Sequence, residues 1–241
     1  MDEMNKKSVI IVAGNIGAGK STLLEYLRKS GKFSNFDFVK EFIDKSWRNL
    51  FYSDRKRYTG PFEMSCLMGR RARYLTARNG DKSVFFDRGL IESRETFVQN
   101  SFDEGFMSFE ELEDYDRRFK KALDEFGRTR EDIGQWMEGL IVYLRTNPQT
   151  CFDRQKKRIE EKKDFGEIIP LEYFERIDSY YESYMHNLQS VYKKWGLPII
   201  PHLLIIDADQ DIENNPNYHE EIAQMIINRL NEINKTSNNS K

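Results

Sequence analysis

A glycine-rich stretch near the start of the chain places a lysine and two hydroxyl residues where they could hold a nucleotide phosphate. The spacing G-x-x-x-x-G-K-S begins at Gly14 and ends at Ser21. In such a loop the glycines let backbone N–H groups turn towards an anion, and the lysine reaches the β- and γ-phosphates. The pattern predicts a nucleoside triphosphate site formed by Gly14, Asn15, Ile16, Gly17, Ala18, Gly19, Lys20, Ser21 and Thr22.

The residues on either side of this loop have the character of a strand and a helix. A run of β-branched residues at 9–12 precedes the loop, and apolar residues at helical spacing follow it. The N-terminus of that helix would add partial positive charge. A glycine-rich turn without a ligand is the simpler interpretation, but the complete pattern in this context favours a phosphate site.

Charged residues at the ends of two other strand-like runs could complete the chemistry. Asp87 and Arg88 directly follow one run, and Glu41 ends another. Ligands of open parallel sheets bind beyond the carboxyl ends of the strands. Asp87 could therefore hold Mg²⁺ through water, with Ser21 as its direct ligand, and Glu41 could accept a proton from an attacking hydroxyl. A surface ion pair and a solvated glutamate are the alternatives.

The alternation of elements predicts the framework that positions these residues. Helical patterns lie between five strand-like runs, at 8–13, 36–40, 83–86, 139–144 and 202–206. This order predicts an α/β fold, with a central parallel sheet of about five strands flanked by helices. The chain is long enough for one domain over 1–241.

The second half of the chain predicts two helices with a short lid between them. Asn147 and Pro148 are typical of a helix start, and a second helix is expected from about 170 to 195. The charged segment at about 159–169 is expected to be a mobile lid, with an ordinary polar loop as the alternative. The polar tail from about 231 to 241 is expected to fray.

Composition excludes several classes of protein. The formal net charge is −2 and the pI is near 6.1. The chain therefore lacks the excess of basic residues that is typical of general nucleic-acid binding. No apolar run approaches the length of a membrane span, and the polar N-terminus carries no signal-peptide pattern. Cys66 and Cys151 are isolated, which indicates a reducing compartment. We therefore expect a cytoplasmic protein with small-molecule partners, and neither nucleic acid nor membrane.

An ordered set of motifs resembles the deoxynucleoside kinase family, which includes deoxycytidine, deoxyguanosine and insect multisubstrate kinases. Over residues 8–213 the set is GNIGAGKST, Glu41, GPFEMSCLMGR, DRG, IVYLRTNPQTCFDR, IIPLEYFERI and LLIIDAD. The resemblance implies transfer of the γ-phosphate of ATP, or of another NTP, to the 5′-hydroxyl of a deoxynucleoside. It also implies an α/β P-loop kinase fold, a Mg²⁺ requirement and a homodimer.

The resemblance also implies roles for single residues. Glu41 matches the general base, and Arg88 matches the arginine that contacts the acceptor and the phosphates. Arg154 and Arg158 match lid arginines, and their i, i+4 spacing puts them on one helix face; a solvated charged face is the alternative. Tyr52 would bond the sugar 3′-hydroxyl, with a buried core aromatic as the alternative.

Three departures from the family pattern bear on function. Asp87-Arg88-Gly89 replaces Glu-Arg-Ser and matches thymidylate kinases. A nucleoside monophosphate kinase of that type is therefore an alternative, as is a non-catalytic member that serves as a structural subunit. The lid is about two residues longer than in the animal enzymes, so its sugar-binding carboxylate could be Glu161, Asp164 or Glu167.

The third departure is Glu63, which replaces the glutamine that reads the base. An ionised carboxylate only accepts hydrogen bonds, and guanine presents N1–H and N2–H₂ side by side. Arg70, seven residues on, could meet guanine O6 and N7. We therefore expect a purine preference, deoxyguanosine before deoxyadenosine. A Glu63–Arg70 ion pair and a protonated Glu63 are the alternatives, and Ser93 stands where purine and cytosine kinases often carry an aspartate.

Overall fold

The centre of the molecule is a parallel sheet of five strands. The computed structural model describes residues 7–41, 43–127, 138–161, 168–210 and 215–239. The strands are β1 (Val9–Ala13), β2 (Phe36–Val39), β3 (Ser83–Asp87), β4 (Glu138–Arg145) and β5 (His202–Asp207). Their order in the sheet is β2-β3-β1-β4-β5, and all four pairings are parallel. This sheet confirms the predicted α/β P-loop kinase fold.

Helices cover both faces of the sheet and create two cores. None of the five residues of β1 is more than 1% exposed. Alternate residues of a strand point to opposite faces, so Ile11 packs in one core and Ile10 in the other. The continuous β-branched run that predicts this strand is what burial on both faces requires.

The helices lie between the strands and after the last one. Asp44 caps the second helix by accepting from the N–H of Ser46 at 2.8 Å, and Asn147 caps the seventh with Pro148 in its first turn, as predicted. The helices are α1 (Lys20–Lys29), α2 (Lys45–Ser53), α3 (Arg55–Arg78), α4 (Leu90–Ser93), α5 (Gln99–Asp103), α6 (Phe109–Gly127), α7 (Pro148–Glu160), α8 (Leu171–His186), α9 (Leu188–Lys194) and α10 (Pro216–Asn239), with a π-helical turn at Arg94–Val98.

Two helix predictions need correction. The helix expected over about 170–195 is two helices, because Asn187 leaves helical geometry and its side chain donates to the carbonyl of Ser183 at 2.9 Å. The tail expected to fray from about 231 belongs to α10 as far as Asn239. Ile233 extends the apolar stripe of that helix onto the core, within the segment that was expected to fray.

The predicted lid falls mostly outside the described residues. The seventh helix ends at Glu160, and the described chain resumes at Ile168. Of the three candidate sugar-binding carboxylates, Asp164 and Glu167 lie outside the described residues, and Glu161 is exposed. No helix within the described ranges is long and apolar enough to cross a membrane.

Parallel pairing brings the predicted site residues to one edge of the sheet. Val12 near the end of β1 is in register with Asp87 at the end of β3. Glu41 follows β2, which pairs with the other side of β3. The phosphate loop, Asp87 and Glu41 therefore leave adjacent strands at the carboxyl edge.

Candidate active site

The loop between β1 and α1 has backbone geometry that glycine adopts readily. Gly14, Gly17 and Gly19 have φ of 146°, 83° and 90°, in the region that side chains disfavour. A Cβ on Gly17 would lie 2.5 Å from the carbonyl oxygen of Cys151. Gly19 has no side chain to cap α1, so the first N–H groups of that helix are available to an anion.

The side chain of Lys20 folds back so that its ammonium lies inside this loop. Its ammonium donates to the carbonyls of Gly14 and Asn15, each at 2.9 Å. Burial lowers the pKa of Lys20, and the nearby Arg88 lowers it further, while neighbouring carboxylates act in the opposite direction. Phosphate oxygens would offer this ammonium charged acceptors in place of two carbonyls, which favours its transfer to a bound nucleotide.

Ser21 and Asp87 form a pair at the mouth of the loop. The Ser21 hydroxyl donates to Asp87 Oδ2 at 2.9 Å. Asp87 is buried, and its other carboxylate oxygen, Oδ1, has no hydrogen-bond partner. A hydroxyl beside a carboxylate oxygen without a partner suits Mg²⁺, which takes few protein ligands and keeps several waters. The residues present therefore fit the predicted ion.

Glu41 lies between two guanidinium groups. Its carboxylate accepts from Arg70 Nη2 and lies 3.2 Å from Arg88 Nε. Burial would raise the pKa of Glu41, but the charges of Arg88, Arg70 and Lys20 outweigh it and lower the pKa to about 2. The carboxylate is therefore ionised at neutral pH, and both arginines reduce its basicity.

Arg88 has an unusual backbone that aims its side chain into this cluster. Of the non-glycine residues that the structure describes, it alone has positive φ, at 72°. Its N–H donates to the carbonyl of Val12 at 3.2 Å, and its guanidinium lies 4.1 Å from the centre of the Phe97 ring. Strained backbone of this kind persists where surrounding contacts hold it, and it concentrates at functional sites.

A cavity of about 210 Å³ opens beside this cluster. Charged and polar side chains meet at its walls, and aromatic rings and aliphatic side chains form the rest. The structure brings together here the residues that were predicted to bind the phosphate-accepting substrate. Lining the cavity are Glu41, Tyr52, Glu63, Arg70, Arg88 and Ser93. The phosphate loop adjoins the same space through Ile16. The arrangement can therefore hold a flat, partly polar molecule with one end close to the phosphate site.

The comparison with protein families gives one match to a family model, deoxynucleoside kinase, over residues 10–231. The chain belongs to the deoxynucleoside kinase family. Mitochondrial thymidine kinase 2 of Homo sapiens is 29% identical over 233 residues, which cover 93% of this chain and 80% of that protein. Deoxycytidine kinase 2 of Gallus gallus is 29% identical, covering 86% and 84%. Mitochondrial deoxyguanosine kinase of Xenopus laevis is 24% identical, covering 89% and 86%.

Glu63 and Arg70 both lie on the cavity wall, and Arg70 has donor groups without partners. Glu63 is 6% exposed. Burial raises its pKa to about 7, although Arg70 and Arg88 act to lower it. Arg70 makes its ion pair with Glu41, and its Nε and Nη1 have no hydrogen-bond partner. Ser93 Oγ is also buried without a partner. Buried polar atoms of this kind are expected to bond a ligand.

Arg154 and Arg158 lie one turn apart on α7, as their spacing predicts. In this structure Arg154 donates to the carbonyls of Ala208 and Gln210 at 3.0 and 2.6 Å, and it also reaches the carbonyl of Gly17. It therefore ties the phosphate loop to the chain after β5. Arg158 is half-buried. The role of both arginines on the transferring phosphate stays a prediction.

Several site residues carry no clear signal in the sequence. Tyr173 and Phe97 both line the cavity. The motif IIPLEYFERI contains Tyr173 and could have indicated it, whereas Phe97 resembles an ordinary core aromatic in the sequence. Glu92 and Tyr181 follow helical patterns typical of packing, yet the structure places them against Arg88. The arginines of the cavity wall that sequence reasoning missed are Arg48 and Arg55.

Proposed function

We propose that this chain transfers the γ-phosphate of ATP, or of another NTP, to the 5′-hydroxyl of a deoxynucleoside. One observation carries the proposal: the ionised carboxylate of Glu41 lines the cavity beside Ile16 of the loop that holds Lys20. A hydroxyl of a molecule in the cavity could reach this carboxylate, and a phosphate in the loop would be adjacent. Family membership supports the same reaction.

The geometry suits a reaction that depends on positioning and charge. Phosphoryl transfer asks little covalent help of the protein. Lys20 and Arg88 would offset the negative charge of the transferring group. Glu41 would orient the hydroxyl and receive its proton as the new O–P bond forms and the bond to the nucleoside diphosphate breaks. Mg²⁺, bound by Ser21 and through water by Asp87, would supply further charge neutralisation.

A panel of acceptors tests the proposal directly. The purified chain is incubated with ATP and Mg²⁺ and with each deoxynucleoside or with dTMP, and product is separated by chromatography. We expect deoxynucleoside 5′-monophosphates. Product from dTMP alone would replace the proposal with a monophosphate kinase, and no product from any acceptor would indicate a non-catalytic member.

The monophosphate kinase alternative has one observation in its favour. Arg48 and Arg55 line the cavity, and an acceptor phosphate would need such cations. Arg55, however, already lies 3.5 Å from Glu104 and 4.1 Å from the centre of the Phe106 ring. A buried Glu63 in the same cavity adds a carboxylate that would disfavour a second phosphate. These contacts favour a neutral nucleoside as the acceptor.

Magnesium dependence gives a test of the Ser21–Asp87 pair. We expect activity to disappear in excess chelator and to return with added Mg²⁺. Asp87→Asn should raise the Mg²⁺ concentration that gives half-maximal activity, because an amide replaces the carboxylate. Asp81→Asn is the control, since this exposed aspartate precedes the opposite end of the same strand. Full activity in chelator would contradict the metal assignment.

For base selection we propose that ionised Glu63 favours guanine. Its carboxylate would accept from N1–H and N2–H₂, while Arg70 Nη1, a donor that lacks a partner, would face the edge that carries O6 and N7. Protonated, Glu63 donates and accepts like the amide that it replaces. Since burial raises its pKa to about 7, both forms occur near neutral pH. Deoxyguanosine is therefore the expected substrate above that pH, with deoxyadenosine as the second purine.

The pH dependence of base selection should follow this titration. Glu63 loses its proton as pH rises through about 7. The ratio of kcat/KM for deoxyguanosine to that for deoxycytidine should therefore rise between about pH 6 and 8. One mismatched buried hydrogen bond costs roughly 1–3 kcal/mol, so we expect a change of about tenfold. Taking a ratio cancels the pH dependence of groups that act on every substrate.

Glu63 is the group at the base site best placed to titrate in this range. The pKa of Glu41 is about 2, that of Cys66 is raised to about 12, and those of Tyr115 and Tyr173 are raised above their usual value. Glu63→Gln should hold the ratio constant with pH. A lead for thymidine or deoxycytidine at pH 8, or an unchanged ranking in the variant, would refute this role.

We propose a homodimer, which the family resemblance implies, and a reducing compartment such as the cytoplasm. Cys66 and Cys151 are both buried and free of disulfides, which suits reducing conditions. Size-exclusion chromatography with light scattering tests the dimer.

A further inference from the structure

Tyr181 of α8 lies between the phosphate loop and the acceptor site. It is fully buried, and its ring stacks on Tyr143 with centroids 5.6 Å apart. Its hydroxyl lies 2.7 Å from the carbonyl oxygen of Gly14 and 2.7 Å from Arg88 Nη1, and it also contacts a carboxylate oxygen of Glu92. One hydroxyl thus contacts both halves of the site.

The hydroxyl cannot satisfy all of these neighbours at once. Arg88 carries only donors, so Tyr181 accepts from it and keeps one proton to give. Two acceptors compete for that proton: Gly14 O and Glu92 Oε1. Glu92 is 1% exposed, and it also accepts from the N–H of Gly89 at 2.8 Å and, at Oε1, from the N–H of Gly14 at 3.4 Å. The network therefore has two arrangements, which differ in the acceptor of the tyrosine proton.

Occupation of the phosphate loop would favour one arrangement. Gly14 O now accepts from Lys20 as well as from Tyr181. If the lysine turns to a bound triphosphate, as the proposed function requires, the carbonyl keeps only the tyrosine as a donor. A buried carbonyl left without a donor is costly, so the proton of Tyr181 would stay at Gly14. Glu92 would then lose its hydrogen bond from the Tyr181 hydroxyl.

Loss of the hydrogen bond from Tyr181 to Glu92 would change how strongly Glu92 attracts Arg88. The guanidinium now lies between two carboxylates, 3.2 Å from Glu41 and 3.5 Å from Glu92. A Glu92 carboxylate that no longer accepts from Tyr181 attracts Arg88 more strongly. Arg88 would then hold Glu41 less tightly, so that Glu41, still paired with Arg70 through Oε1, could offer Oε2 to the hydroxyl of the acceptor.

We propose that Tyr181, with Glu92, is a positioning residue that couples nucleotide binding in the phosphate loop to the release of Glu41 by Arg88. This inference rests on the proposed function. It requires that nucleotide and nucleoside strengthen the binding of each other. The hydroxyl of Tyr181 is the connecting atom, and neither Tyr181 nor Glu92 needs to touch a substrate.

The test measures deoxynucleoside affinity by calorimetry, with and without a non-hydrolysable ATP analogue and Mg²⁺. For the unaltered chain we expect the analogue to tighten binding by about fivefold or more. Tyr181→Phe keeps the ring and removes the hydroxyl, so the two affinities should become equal. Tyr180→Phe is the matched control, because the hydroxyl of that adjacent tyrosine contacts Asp103 instead, and the coupling should be retained.

A second variant covers the case in which Tyr181→Phe does not fold. Glu92→Gln keeps an oxygen that accepts from Gly89 and removes the charge that attracts Arg88, so it should also abolish the coupling. If coupling is intact in either folded variant, or absent in the unaltered chain, the inference is wrong. The proposed function would still stand, because it depends on turnover and not on coupling. Absence of turnover with every nucleoside overturns the proposed function instead.

Discussion

Lys20→Ala should lower kcat/KM by about a hundredfold or more while the chain stays folded. Cationic contacts to a transferring phosphoryl group are worth several kcal/mol, because the charge develops in a site that excludes water. The ammonium already lies in the loop, 2.9 Å from two of its carbonyls. Its removal eliminates the group that would move to the β- and γ-phosphates. Steady-state kinetics with a saturating acceptor measures the effect.

Two controls separate this effect from a loss of fold. Lys29→Ala removes a lysine at the other end of α1, where 69% of the side chain is exposed, and it should leave kcat/KM unchanged. The thermal unfolding midpoint of Lys20→Ala should stay close to that of the unaltered chain, since burial of the ammonium is itself unfavourable. Near-normal turnover in Lys20→Ala would refute the phosphate-loop assignment.

Glu41→Gln should slow transfer roughly 10²–10⁴-fold and leave nucleoside binding largely intact. Glutamine accepts a hydrogen bond from the acceptor hydroxyl and from an arginine, but it does not take the proton. The effect should therefore appear in kcat, and the dissociation constant of the deoxynucleoside should change little. Rapid-quench single-turnover kinetics separates the two quantities.

The control for Glu41 comes from the strand that precedes it. Asp37→Asn alters an exposed carboxylate of β2 that faces Lys82 at 3.7 Å, and it should not affect turnover. If Glu41→Gln raises KM with kcat unchanged, Glu41 is a binding residue and another group is the base.

Titration of Glu41 does not account for a change of activity near neutral pH. Its pKa is lowered to about 2 by Arg88, Arg70 and Lys20 despite burial. A depressed pKa keeps the carboxylate ionised at all higher pH values. An acidic limb near neutral pH in kcat/KM for deoxyguanosine would therefore arise from another group of the free enzyme. Glu63, whose pKa is about 7, is the expected source, and Glu63→Gln should remove that limb.

Local patterns in the sequence were enough to predict the phosphate loop and the sheet. The loop is contiguous, and its glycines have the positive φ that their spacing indicates. The strands follow from β-branched and aromatic runs, because a strand buried on both faces needs apolar residues at every position. Family membership also follows from ordered motifs. The extents of the later helices did not follow, since α8 ends where the Asn187 side chain donates to the carbonyl of Ser183 and Ile233 of α10 packs against the core.

Only the tertiary structure decided how the charges of the site are paired. Arg70 and Glu41 are 29 residues apart, and Tyr181 and Glu92 are 89 apart, so no local pattern connects them. Burial decides whether Glu63 is charged, and burial arises when separate helices close around one cavity. The sequence by itself determined which groups are present and which strand ends they follow. The fold decided their partners and charge states, because hydrogen bonds and desolvation act over a few ångströms whatever the separation along the chain.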